Sequence, residues 1–399
     1  MLKINENYLK LEDSYLFSKI AYRVNEYRIK NPNKKIISLG IGDVVLPLSS
    51  PVIASLEDGV KDMSLKETFK GYGPEQGYGF LRNEIKNYYR EYGVDIHIDE
   101  IFISDGAKSD LGNILDIFSK ENVVLIQDPV YPVYVDTNIM DGRRIIFSKC
   151  TEENKFLSMP DYNINVDIIY LCSPNNPTGA TYNRNQLEEW VKYAKDIGAI
   201  ILFDAAYEAF INEEGIPHSI FEIDGAKDCA IEICSLSKTA GFTGMRCGYT
   251  IIPKKLNVNG VLLNKLWLRR QTTKFNGVPY IVQKAAEGVF TKEGRVKTKE
   301  NIDYYMENAK ILMNSLRMLN IDFTGGINSP YIWFKCPNNM SSWEFFEYFL
   351  ENASIVGTPG DGFGKNGEKY FRLSCFGERE NIIEAANRII SLGYTKTWY

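Results

Sequence analysis

Histidine is nearly missing from this chain: His97 and His218 are the only two. Neither stands in a metal-like or nucleophile-like setting, so zinc catalysis and histidine-based hydrolysis are not expected, and both read as structural residues. The seven cysteines are scattered, with no C-x-x-C pair and no zinc spacing. They are expected to be reduced, mostly buried thiols. No apolar run comes near the roughly 20 residues of a membrane span. Met1-Leu-Lys-Ile-Asn-Glu6 lacks the charged-then-apolar layout of a signal peptide. A cytoplasmic protein with no membrane partner is the expectation. An excess of one charge is lacking too: a net charge of −5 gives no general pull toward nucleic acid, and none is expected as a partner. No internal repeat, linker or low-complexity tract interrupts the chain.

What is present is an alternation. Apolar, β-branched runs of four to six residues (Ile101 to Ser104, Val123 to Gln127, Asp167 to Cys172, Ala199 to Phe203, Ala230 to Cys234) are separated by amphipathic helical stretches. That order predicts an α/β fold with a mostly parallel central sheet flanked by helices. A large domain over 46–290 is expected. A smaller α+β domain would be built from 1–45 and 291–399, with a long helix from about Val296 to Leu319. In sheets of this kind ligands bind at the carboxyl ends of the strands.

The chemistry-bearing residues fall there. Ser235-Leu-Ser-Lys238 follows one strand, and Arg246 comes eight residues after the lysine. A lysine flanked by hydroxyls and a guanidinium suits a Schiff base with a phosphate-bearing aldehyde cofactor, pyridoxal 5'-phosphate. Such a cofactor makes further demands. Its ring nitrogen needs a carboxylate, and Asp204 ends a strand. Its ring hydroxyl needs a partner, for which Asn176 and Tyr207 are candidates. Its phosphate needs amides at a helix start, which Gly106-Ala107-Lys108 opens, with Ser235, Ser237 and Arg246 completing the cradle. Its ring face needs an aromatic, and Tyr131 is placed for it. Lys70 to Gly79 is too glycine-rich for regular structure, and its Tyr72 and Glu75 read as ligand-facing loop residues.

Asn176-Pro-Thr-Gly179, Asp204-x-x-Tyr207 and Ser235-x-Ser-Lys238 with its arginine resemble the fold-type I pyridoxal-phosphate enzymes of aminotransferase class I/II. Longer strings are similar to one subfamily, which interconverts L-2,3,4,5-tetrahydrodipicolinate and LL-2,6-diaminopimelate with glutamate and 2-oxoglutarate in lysine biosynthesis. They are Asp105-Gly-Ala-Lys-Ser-Asp110, Gln127 to Asp136, Ser237-Lys-Thr-Ala-Gly-Phe-Thr-Gly244 and Arg270-Gln-Thr-Thr-Lys-Phe-Asn-Gly277. The resemblance implies a homodimer with shared sites. It makes Lys238 the cofactor-bearing catalytic residue and Arg372 the clamp on the substrate α-carboxylate. Tyr15, Gly42, Lys108, Tyr131, Asn176 and Asn276 match substrate contacts. Tyr72 and Glu75 match residues lent by the partner subunit, toward the phosphate and the distal ammonium. Cys234, where a basic residue is expected, and the Leu46 to Pro51 turn depart from the pattern. Rival readings are another class I/II aminotransferase, a lyase eliminating at Cβ, or a non-catalytic sensor. The sensor would need a basic DNA-binding extension, and none is expected from the short stretch before Tyr15.

Overall fold

The computed structural model describes residues 2–12 and 16–393. Its centre is a seven-stranded sheet of β1 (Ile101–Ser104), β2 (Val123–Asp128), β3 (Arg144–Lys149), β4 (Ile168–Cys172), β5 (Ile200–Asp204), β6 (Ala230–Ser235) and β7 (Gly248–Ile251), in the spatial order β1-β7-β6-β5-β4-β2-β3. Every pairing is parallel except those of β7, which runs antiparallel to both its neighbours. β4 and β5 are buried at every residue, the condition that makes an all-apolar strand stable between two helical layers. Alternate side chains feed two separate cores: Ile169 and Leu171 enter one, Ile168, Tyr170 and Cys172 the other.

The helix Arg184–Ile197 shows how local sequence sets these layers. Asn183 caps it by accepting from the Gln186 amide, Gly198 ends it in the left-handed region, and Leu187, Trp190, Val191 and Ala194 form its buried stripe. Two elements between β2 and β4 carried no sequence signal: the helix Val133–Asp141 and the strand β3. β3 is an edge strand with only partial burial, so no apolar run marks it. The long helix starts at Lys292 rather than Val296 because Thr291 caps it through the Gly294 amide.

A four-stranded antiparallel sheet follows, in the spatial order Phe323–Gly325, Tyr331–Lys335, Tyr370–Ser374, Thr358–Pro359. The strand Ile37–Ser38 pairs in parallel with Ile355–Val356, tying the N-terminal part to this region. All seven cysteines are buried and free, as the composition led one to expect. Among the described residues no helix is long and apolar enough to cross a membrane.

Candidate active site

Strand register brings the sequence-distant candidates to one edge. Gly248 is aligned with both Ser104 and Ser235, and Cys172 with Asp204, so the segments after β1, β4, β5 and β6 converge. They enclose a cavity of about 280 Å³. Gly42, Ala107, Lys108, Tyr131, Asn176, Asp204, Tyr207, Ser235, Ser237, Lys238 and Arg246 all line it.

Lys238 reaches this cavity from a single helical turn, Leu236–Thr239, capped by the Ser235 hydroxyl. Its ammonium donates to the Gly42 carbonyl. Burial pushes its pKa down to about 8, with Asp43 opposing and Arg372 and Arg246 assisting. A lysine in that range holds a usable fraction of neutral amine near neutrality, as a carbonyl-attacking nucleophile and proton carrier requires.

One corner is built for an anion. Arg246 Nη1 donates to Ser237 Oγ at 3.3 Å, and Ser235 Oγ accepts from the Ser237 amide at 3.1 Å. Gly106, at φ +125°, leads into the helix Ala107–Asn113. A Cβ there would lie 2.6 Å from Arg246 Nη2, so the bare glycine lets the guanidinium lie against the helix start. Arg246 itself holds φ +63°, a conformation costly for a side-chain-bearing residue outside a site that requires it.

Asp204 is buried at the other end. Its Oδ2 accepts from the Tyr134 hydroxyl at 2.5 Å and its Oδ1 from the Ala206 amide at 3.0 Å. The sequence assigned Asp204 to the cofactor's ring nitrogen, a cationic partner that would hold the carboxylate ionised. In the protein alone burial instead raises its pKa, and Tyr134 and the amide only partly offset this. A buried carboxylate of this kind fits a pyridinium nitrogen, which would supply the missing positive charge. The donor corner, the lysine and the carboxylate thus fit pyridoxal phosphate.

Arg372 is 1% exposed. It donates to Asn176 Oδ1 at 2.6 Å and to the Gly40 carbonyl at 2.6 Å, and stacks over Tyr331 at 4.3 Å and Phe363 at 4.8 Å. Tyr207 hydrogen-bonds Tyr331 at 2.9 Å, and a Cβ at Gly42 would lie 2.3 Å from the Tyr331 hydroxyl. Sequence reasoning missed Tyr134 and Tyr331. Tyr134 stood in the quoted Gln127 to Asp136 string, and its spacing of three from Tyr131 was a usable signal; nothing marked Tyr331.

Four described candidates do not line this cavity: Arg372, which reaches it only through its bond to Asn176, and three residues of surface segments. Tyr72 is 93% exposed, Asn276 is exposed and Glu75 half-buried, and none lines it. Gly277 packs against the Pro74–Glu75 backbone, which puts Asn276 beside the Tyr72 loop rather than with its own chain's Lys238. Tyr15 lies outside the described residues. Cys234 is buried, with Tyr89 Oη 3.3 Å away, and the turn at Leu46 is held by its amide donating to Tyr305 Oη at 2.9 Å. Neither departure borders the cofactor cavity.

A lysine, a buried carboxylate and an anion-binding corner at the strand ends of a seven-stranded α/β sheet fit the site of a pyridoxal-phosphate enzyme. The chain belongs to the aminotransferase class I and II family, whose model matches residues 34–389, and these enzymes depend on that cofactor. Within the family it is 53% identical to the LL-diaminopimelate aminotransferase of Lachnospira eligens, over 98% of this chain and all of that one. It superposes on the L,L-diaminopimelate aminotransferase of Chlamydomonas reinhardtii with a TM-score of 0.92 and 42% identity, covering 98% of each chain. A single-mutant aspartate aminotransferase of Thermus thermophilus shares the fold at 20% identity, with a TM-score of 0.86 and coverage of 98% and 100%.

Proposed function

We propose that this aminotransferase interconverts L-2,3,4,5-tetrahydrodipicolinate and LL-2,6-diaminopimelate, with glutamate and 2-oxoglutarate as the donor pair, in lysine biosynthesis. The observation that carries this is the 53% identity over essentially the whole length to an enzyme named for that substrate.

The cavity lining and the subfamily resemblance together support the following residue roles. Pyridoxal phosphate supplies an aldehyde carbon to carry the amino group and a ring that accepts electrons from the substrate Cα. Ala107, Ser235, Ser237 and Arg246 would hold its phosphate, Asp204 its ring nitrogen, Asn176 and Tyr207 its hydroxyl, and Tyr131 its face. Lys238 would hold the cofactor through its aldehyde, and its free amine would take the proton from the substrate Cα as general base and return one as general acid. Arg372 binds the α-carboxylate through its planar fork, braced by Asn176. Gly42 would border the substrate, and a Cβ there would lie against the Tyr331 hydroxyl; a substrate contact for Tyr15 rests on the subfamily resemblance alone.

The far end of diaminopimelate carries both an anion and a cation. Lys108 and Asn276 serve the carboxylate, Glu75 the ammonium. Exposure of Tyr72 and the distance of Glu75 and Asn276 from their own cavity favour their delivery from a partner subunit, hence a homodimer. Residues 46–290 form the cofactor-binding domain, and 1–45 with 291–399 the smaller one. Seven unpaired buried thiols favour the reducing cytoplasm.

The test is amino transfer from LL-diaminopimelate to 2-oxoglutarate by purified enzyme. Robust turnover is expected; turnover with aromatic or aspartate donors alone would assign a different class I/II substrate.

A further inference from the structure

A second cavity, of about 230 Å³, lies behind the lysine turn, lined in part by Ser235, Leu236 and Thr239. Its other walls are aromatic, from Tyr88, Tyr92, Tyr249 and Phe290, with Glu208 and Cys234 between them. The Tyr88 ring stands edge-on to Tyr92 (5.3 Å, 82°) and is inclined to Phe290 (5.7 Å, 64°). Tyr88, Phe290, Arg295 and Lys299 also line an outer groove of about 690 Å³, so these residues mark the mouth between the two.

The charges are unevenly disposed. At the mouth Arg295 is spent on Glu91 and Lys299 on Asp303. Inside, Glu208 is nine-tenths buried, accepts from Tyr88 Oη at 2.9 Å and lies 3.2 Å from His218 Nδ1. Glu232, fully buried behind Cys234, is held by Tyr89, Ser219 and the Ile220 amide, with no cation among them. A carboxylate keeps about four lone-pair positions, so Glu208 has room for another donor. Arg295 already lies over the Tyr88 ring at 5.6 Å and His218 stacks on Tyr92 at 4.5 Å, so this aromatic shell seats a guanidinium at its mouth, and an organic cation inside would gain from the remaining ring faces and from Glu208 together. The small neutral thiol of Cys234 keeps the cavity open.

We propose that this cavity is a binding site for a small organic cation of guanidinium type, its N–H groups on Glu208 and its body among Tyr88, Tyr92, Tyr249 and Phe290, next to the turn that carries Lys238. The site is separate from the transamination centre, which it touches only through Ser235.

The experiment titrates holoenzyme with methylguanidinium, which does not condense with an aldehyde, and follows broadening of its methyl proton resonance. N-methylurea, neutral and of the same shape, is the control. Saturable binding of methylguanidinium, at least tenfold stronger than of N-methylurea, is expected, together with at least a tenfold loss in Glu208→Gln. Cys234→Arg places a tethered guanidinium in the cavity and should abolish binding. Should that variant not fold, Cys234→Met fills the space without charge and should also weaken binding at least tenfold. Equal binding of the two probes, or unchanged binding in Glu208→Gln and in the folded Cys234 variant, overturns the proposal.

Discussion

Arg372 donates to Asn176 at 2.6 Å, a bond that joins the middle of a strand in the four-stranded sheet to the turn after β4 in the large one. The two residues are 196 positions apart, and the bond holds the proposed carboxylate reader against the proposed cofactor partner.

Arg372→Lys keeps the charge but loses the fork and the stacking over Tyr331. Cutting back one side of a buried charged hydrogen bond costs roughly 2–5 kcal/mol. A fall of about a hundredfold or more in kcat/KM for both substrates is expected in steady-state kinetics, borne mostly by KM. Asn176→Ala with Arg372→Lys should be less than additive, because the two share one bond.

Lys238 gives a pH dependence. Burial lowers its pKa to about 8, so the neutral amine becomes abundant well below the pH at which an exposed lysine releases its proton. Covalent uptake of pyridoxal phosphate by apoenzyme, followed by absorbance, should accelerate with rising pH and level off above about 8. A rate still climbing steeply at pH 10 would contradict this environment. Lys238→Ala should bind cofactor without turnover.

Gly106→Ala sets a Cβ against Arg246 and places a side chain at φ +125°. The guanidinium must swing away from the helix start. Cofactor affinity, measured by equilibrium titration of apoenzyme, should fall at least about tenfold, the scale of one lost charge-assisted hydrogen bond. Lys238 should still react with the aldehyde.

Glu232 links stability to pH. Burial raises its pKa to about 7, against 4.5 for an ordinary glutamate. The folded chain therefore binds a proton that the unfolded chain releases, and this contribution is complete below 4.5 and disappears as pH rises through 7. Glu232→Gln should flatten the fall in stability across that window by on the order of 2–3 kcal/mol, read from denaturant unfolding at pH 4.5 and 7.5. Asp110, also raised to about 7, supplies a parallel slope that the variant leaves in place.

Glu75 distinguishes the two half-reactions. As reader of the distal ammonium, it has nothing to bind in glutamate. Glu75→Gln should slow the diaminopimelate half-reaction far more than the glutamate one in single-turnover measurements, and equal losses would remove it from that role.

Local pattern was enough to determine much of this protein. Buried parallel strands must be apolar at nearly every position, so β4, β5 and β6 announced themselves, and with them the turns that follow. Lys238, Asp204, Asn176 and Arg246 were legible because a strand end positions whatever comes next in the chain. Edge strand β3, half exposed, has no such constraint and left no trace. Tertiary structure alone decided the rest. Tyr134 beside Asp204, Tyr331 beneath Arg372 and Gly106 against Arg246 depend on strand register and on the packing of segments far apart in sequence, which periodicity does not encode. The same packing set Asn276 apart from the Lys238 of its own chain and opened an aromatic cavity at Cys234.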